Sequence, residues 1–241
     1  MTCNARRKNL RTAPQLPVRP YVQTRVIGPQ RWVVGMTVAL RRQPRVRQTL
    51  ESLSLAGFDD VVLFSEPDAN DLPEPCEHIT ILKNDKVLGN WGNFCQRART
   101  LVDFSAGTRY LLVQDDVDFL PGTREWVENN WPCNNGPSSL YRSSAYAPEE
   151  GAWSVVKPRG PFLGMLALVL TRGHLESLVA NLDAMSDGEN KKDDYKFGYY
   201  CHGLGIPINI ANASRCQHTG ECSSLYAAKM SRLRMAETYA G

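Results

Sequence analysis

The sequence predicts an α/β fold with a Rossmann-like, mostly parallel central sheet flanked by helices. Three observations carry that prediction. Short β-branched runs alternate with segments of helical period from Trp32 to Phe104, the rhythm of strand–helix–strand units. The run Tyr110-Leu111-Leu112-Val113 is apolar without alternation, as in a strand covered on both faces. The longest apolar stretch, Phe162 to Thr171, is too short to cross a bilayer.

Each element follows from local pattern. Residues 1–30 hold Pro14, Pro17, Pro20 and Pro29 with little apolar period, which predicts an extended or disordered basic arm. Trp32 to Leu40 is the first strand and Arg41 to Pro44 a turn. Arg45 to Gly57 is an amphipathic helix, with Val46, Leu50, Leu53 and Leu55 on its apolar side and Gly57 as its stop. Val61 to Phe64 completes a βαβ unit, which calls for a right-handed crossover. His78 to Leu82 is a third strand. Asn84 to Asn93 is a Gly/Asn loop ahead of a helix from Phe94 to Phe104. Tyr110 to Val113 is the fourth strand, Thr123 to Asn130 a short helix, and Cys133 to Pro148 a loop. Trp153 to Val156 is a strand, Gly160 to Gly164 a turn before the apolar run Met165 to Leu170, and Gly173 to Met185 a helix. A polar loop leads to a helix from Asp194 to Gly203, a strand from Pro207 to Ala211 and a last helix from Leu225 to Tyr239. The expected organisation is one domain over residues 31–225, with residues 226–241 as a helical tail.

Charge and cysteine usage narrow the class. Eleven of the 28 Lys and Arg residues precede Glu51, the first of the 25 acidic residues. Such asymmetry suits either a polyanion-binding arm or a solubilising tail. The seven cysteines form no CxxC pair, which argues against a zinc site of the usual spacing. They read as reduced thiols of a cytoplasmic protein, and no apolar core follows the basic N-terminus as in a secretory leader.

The chemistry concentrates in Gln114-Asp115-Asp116-Val117-Asp118-Phe119, where a buried strand runs directly into three carboxylates. Ligands of open α/β sheets bind outside the carboxyl ends of such strands. Carboxylates packed this closely repel unless something positive lies between them. A divalent cation, which prefers hard oxygen ligands, would serve, and could in turn hold phosphates. A solvated acidic turn is the plainer alternative.

In this order the motifs resemble glycosyltransferases of the GT-A fold, which use nucleotide-sugar donors. The resemblance is one of motif order over Trp32 to Leu225. It rests on the opening strand–turn–helix, on Asp115-Asp116-Val117-Asp118 as a DxD-like metal motif, on Asp193-Asp194 ahead of a helix, and on the late His218. Gln114 departs from the pattern, standing where many members carry the first acidic residue. The resemblance implies Mn²⁺ or Mg²⁺ held by Asp116, Asp118 and His218, with Asp115 nearer the ribose. It implies Asp194 as general base with Asp193 beside it, although Asp193 also suits a helix N-cap. Donor contacts would come from Thr37, Ala39 and Arg41 after the first strand, from Glu66 and Asp68 after the second, from Asn90 and Asn93, and from Gly164 and Ser223. Trp91 suits either that loop or plain core packing.

The resulting expectation is a metal-dependent hexosyltransferase. It would move a sugar from a nucleoside-diphosphate sugar, UDP-sugar first, to an acceptor hydroxyl with inversion, and it would carry a smaller acceptor-side subregion. The basic arm points to DNA with a 5-hydroxymethylated pyrimidine, as for phage-type DNA glycosyltransferases. A glycan, lipid-linked sugar or protein hydroxyl is the other acceptor class. From other classes, a nucleotidyltransferase would need a Gly-rich phosphate loop that Arg41-Arg42-Gln43-Pro44 lacks. A non-catalytic nucleotide-binding module would not need Asp115, Asp116, Asp118, Asp194 and His218 together.

Overall fold

The computed structural model describes residues 31–103, 107–186 and 193–219. In chain order its elements are β1 (Trp32–Val38), α1 (Val46–Leu55), β2 (Val61–Ser65), β3 (Ile79–Lys83), α2 (Gly89–Asp103), β4 (Arg109–Gln114), β5 (Val117–Phe119), α3 (Thr123–Asn129), β6 (Ser138–Ser139), β7 (Trp153–Val156), β8 (Ala167–Thr171), α4 (Arg172–Ser186), α5 (Asp193–Gly203), β9 (Ile208–Ala211) and β10 (Cys216–His218). The protein is an α/β fold around an eight-stranded sheet of order β3-β2-β1-β4-β8-β6-β9-β7. The block β3-β2-β1-β4 is wholly parallel. Beyond it β8 runs antiparallel to both β4 and β6, while β6 and β9 are parallel.

Strand alternation builds a core on each face of this sheet. Val34, Met36 and Val38 of β1 point toward α1 and pack with Val46 and Leu53, while Val33 points the other way into the cluster of Phe94, Ala98 and Leu101 on α2. Burying one such leucine completely contributes about 1.5–3 kcal/mol. Gly35 lies beneath α2 because nothing larger fits: a Cβ there would stand 2.5 Å from Leu101 Cδ1 and 3.0 Å from Arg97 Cγ. Helix α1 stops where the sequence predicted. Gly57 has φ +92°, and Phe58 N–H reaches back to the Leu53 carbonyl at 2.9 Å while Gly57 N–H reaches Ser54, a Schellman closure.

Three expectations need correction. Helix α2 begins at Gly89, so Asn90, Trp91 and Asn93 are helical residues and not loop. Glu66 explains why: its buried carboxylate accepts the Leu88 and Gly89 N–H groups, at 3.0 and 2.9 Å, and so caps a start that the Gly/Asn composition disfavours. The first strand ends at Val38, which leaves Ala39 and Leu40 in the following loop. The stretch read as loop after Cys133 contains β6, and β5 pairs antiparallel with β10 to form a second, two-stranded sheet. The N-terminal arm, Ser223 and the last helix lie outside the described residues.

Among the described residues Cys76, Cys95, Cys133, Cys201 and Cys216 are free, as expected, and no helix is long and apolar enough to cross a membrane.

Candidate functional site

From β1 the chain moves through β2 to β3 on one side and returns by α2 to β4 on the other. The carboxyl ends of β1 and β4 therefore meet at a topological switch point, where open α/β sheets leave a crevice. The β1 end presents Ala39 and Arg41, and the β4 end presents Asp115 and Asp116.

Asp115 and Asp116 are each 1 % exposed. Burying one carboxylate unpaired would cost several kcal/mol, so compensation is obligatory. The compensating cation is Arg41. Its Nε donates to Asp115 Oδ1 at 2.8 Å, its Nη2 pairs with the same oxygen, and its Nη1 lies 2.6 Å from Asp116 Oδ2. Ala39 N–H donates to Asp115 Oδ2 at 3.1 Å. Burial works against the Arg41 charge, but attraction to Asp115 and Asp116 outweighs it and its pKa is raised. Burial likewise pushes the Asp115 carboxyl up, against the pull of Arg41 and the Ala39 N–H.

The turn carrying these groups is held from both sides. On α1, Thr49 Oγ1 donates to the Asp115 carbonyl at 3.0 Å, and Val117 N–H donates to that hydroxyl at 3.3 Å. Thr49 sits among Val46 and Leu53 on the buried face of α1, a polar residue on an apolar stripe, and that placement was available as a sequence signal. On the other side the β5–β10 register sets His218 opposite Val117, and Thr219 N–H donates to the Asp116 carbonyl at 2.9 Å. His218 Nε2 thereby comes within 3.1 Å of Asp116 Oδ2. Asp118 is held by α1, where Gln48 Nε2 donates to its Oδ2 at 3.0 Å. Its pKa is raised by burial, against the Arg45 charge.

A second cluster occupies the α2 face of the sheet. Arg97 is 2 % exposed and donates through Nη1 to the Gly35 and Val113 carbonyls at 3.2 and 2.7 Å. Burial pulls its pKa down to about 10, opposed by the Asp193 charge. Thr37 Oγ1 points at the same Val113 carbonyl, 3.4 Å away. Asn93, one turn earlier on α2, is buried, and its Oδ1 has no hydrogen-bond partner. Asp193 and Asp194 open α5. Asp193 Oδ1 accepts the Asp194 N–H at 2.9 Å, while Asp194 Oδ1 accepts Met165 N–H at 3.3 Å and its carbonyl accepts Phe162 N–H at 3.0 Å.

The sequence-predicted residues therefore separate into groups. Arg41, Asp115, Asp116, His218 and the Ala39 backbone come together, and Thr37 joins Arg97 across β4. Glu66 is committed to capping α2, while Asp68 lies exposed in the turn after β2 and Asn90 is exposed on the first turn of α2. Gly164 is packed tightly: a Cβ would stand 2.7 Å from the Phe162 ring, and its carbonyl accepts Ser139 Oγ at 2.8 Å. Trp91 stacks on Phe94 with ring centroids 5.4 Å apart.

Among the described residues no three or more His, Cys, Asp or Glu side chains gather as a metal shell. Asp116 Oδ2 and His218 Nε2, a carboxylate oxygen beside an imidazole nitrogen, are donor types that a transition-metal ion such as Mn²⁺ accepts, and the buried Asp118 Oδ1 on the adjoining strand makes no hydrogen bond. The Arg41 guanidinium stands against the same Asp116 oxygen. No protein-family model and no curated protein matches this chain.

Proposed function

We propose that the protein is a glycosyltransferase with a GT-A-type arrangement, using a nucleoside-diphosphate sugar as donor and an acceptor hydroxyl as nucleophile. One observation carries this reading: a buried carboxylate pair at the carboxyl end of β4, at the switch point beside β1, with an imidazole delivered to it by β10. Structural ion pairs are costly to bury and gain little net stability, whereas functional sites regularly hold charges this way.

Each residue has a role derived from its place. Asp116 and His218 would hold a divalent cation, with Asp118 adjoining. When bound, such a cation supplies Lewis-acid stabilisation of the negative charge on the departing diphosphate. Thr37, near the end of β1, and Asn93, whose buried amide oxygen makes no hydrogen bond, would contact the donor. Asp194 acts as general base, taking the proton of the acceptor hydroxyl as that oxygen attacks the anomeric carbon from the face opposite the leaving group. It lies in the first turn of α5, and the Met165 N–H orients the carboxylate. Of the acceptors, a hydroxymethylated pyrimidine in DNA is favoured by the basic residues of positions 1–30, Arg6, Arg7, Lys8, Arg11, Arg19 and Arg25, because neutralising phosphates gives sequence-independent affinity.

The test is a thermal-shift panel of nucleotide sugars and free nucleotides, each with Mn²⁺ and with EDTA. Binding to the native state alone raises Tm by mass action. The expected result is a Mn²⁺-dependent rise with one nucleotide sugar that Asp116→Asn removes while retaining the wild-type circular dichroism spectrum. No rise with any compound overturns the reading. A rise indifferent to metal and to Asp116→Asn favours a nucleotide-binding module whose site Arg41 neutralises permanently.

A further inference from the structure

The place proposed for a divalent cation already holds a cation of the protein's own. Arg41 bridges Asp115 and Asp116 through Nε, Nη1 and Nη2, and its side chain remains 17 % exposed. Asp116 Oδ2 is approached at once by Arg41 Nη1 at 2.6 Å and by His218 Nε2 at 3.1 Å. A metal ion on that oxygen would stand close to the guanidinium, and two cations so near each other repel.

We propose that Arg41 is a resident counter-ion which a divalent cation displaces from Asp116, and that the released guanidinium then pairs with the diphosphate of the nucleotide. The inference rests on the glycosyltransferase reading for the nature of that ligand. Three features make the exchange feasible. Arg41 belongs to the loop between β1 and α1, outside any strand or helix, and among the described residues its backbone is held by the Asn70 amide, with contacts of 3.4 and 3.3 Å. Asp115 keeps the Ala39 N–H after Arg41 leaves, so the exchange does not strip it of every partner. The Asp115–Asp116 turn stays in place throughout, because Thr49 and Thr219 hold its carbonyls from two other elements. A planar guanidinium also matches phosphate as well as it matches carboxylate, so Arg41 moves from one bidentate partner to another.

The consequence is coupling. Metal binding costs Arg41 its contact with Asp116, and nucleotide gives the guanidinium a new partner. Each ligand therefore raises the affinity for the other by the same factor.

The experiment measures Mn²⁺ affinity by electron paramagnetic resonance, with and without UDP, for the full chain and for Arg41→Met. Without nucleotide, Arg41→Met binds Mn²⁺ about tenfold more tightly than wild type. UDP raises the wild-type Mn²⁺ affinity by about tenfold or more, and the affinity of the variant far less. Equal Mn²⁺ affinities without nucleotide, or equal gains from UDP, overturn the exchange but leave the cation reading standing. Failure of both proteins to bind Mn²⁺ overturns both. Arg41→Met leaves two buried carboxylates facing each other and could fail to fold, so wild type supplies an independent readout. The Arg41 Nε–H resonance, sharp while it is held on Asp115, shifts or exchanges away on adding Mg²⁺. An unchanged resonance with Mg²⁺ bound overturns the proposal.

Discussion

Asp115 and Asp116 are neighbours in sequence with different surroundings. Asp115 receives a backbone N–H and the edge of a guanidinium, whereas Asp116 shares one oxygen between Arg41 and His218. The sequence made the cluster conspicuous but not its partner, because Arg41 lies 74 residues away and only the parallel pairing of β1 with β4 brings the two ends together. The same limit applies to Glu66, read as a donor contact from its place after the second strand and found capping α2. One residue that sequence reading passed over sets a pH dependence. His174, in the first turn of α4, is pulled down to about 4 by burial and by the nearby Arg109 charge, and Thr171 Oγ1 lies 2.9 Å from its Nδ1. The unfolded chain binds this proton between the ordinary value near 6.5 and the native value, and the native protein does not. Stability therefore falls as pH drops through that window. The expected loss from this residue is about 2 kcal/mol between about pH 7 and pH 5. Urea unfolding at the two pH values should show it in wild type and show it reduced by that amount in His174→Gln. An equal pH dependence in the two proteins would contradict the assignment.

At the scale of elements, local pattern and tertiary contact divide the work unevenly. Helix α1 is complete in its own sequence, from the spacing of Val46, Leu50 and Leu53 to the Gly57 stop. Helix α2 is not. Its first turn, Gly89-Asn90-Trp91-Gly92, has poor helical propensity and forms because Glu66, from the end of β2, accepts two otherwise orphaned N–H groups. Replacing Glu66 with Ala should cost about 1–2 kcal/mol. It should also speed amide hydrogen exchange at residues 88–93 while α1 stays protected, and unchanged exchange there would show that the cap is dispensable. Strands β5 and β10 have three residues each, too short to carry a periodic signal, yet their pairing is what sets His218 beside Asp116. A short strand whose register is fixed by its partner is invisible one strand at a time.

For the whole molecule, the eight-stranded sheet links the two halves of the sequence. β4 pairs with β8, and Arg142, just after β6, donates to the Ala211 carbonyl of β9 at 3.1 Å and to Ser154 Oγ of β7 at 2.9 Å. The cores on its two faces both draw on strands from the first and the second half of the chain. With the eight strands hydrogen-bonded in one continuous series, the described residues should unfold as one unit. Tryptophan fluorescence, reporting from Trp32 in β1 to Trp153 in β7, and far-ultraviolet circular dichroism should then give coincident urea transitions. Two separated midpoints would divide the sheet between β4 and β8.

What the sequence by itself determined is the α/β class, the parallel opening block, the approximate place of most helices and strands, and the strand-terminal aspartates. Those features are written in periodicity, glycine stops and runs of like residues, which act over a few positions. Only the tertiary structure decided the strand order, the start of α2, the β5–β10 pair and the cation facing Asp115 and Asp116. Each of these depends on groups far apart in the chain, whose meeting is governed by sheet topology and burial and leaves no local pattern to read.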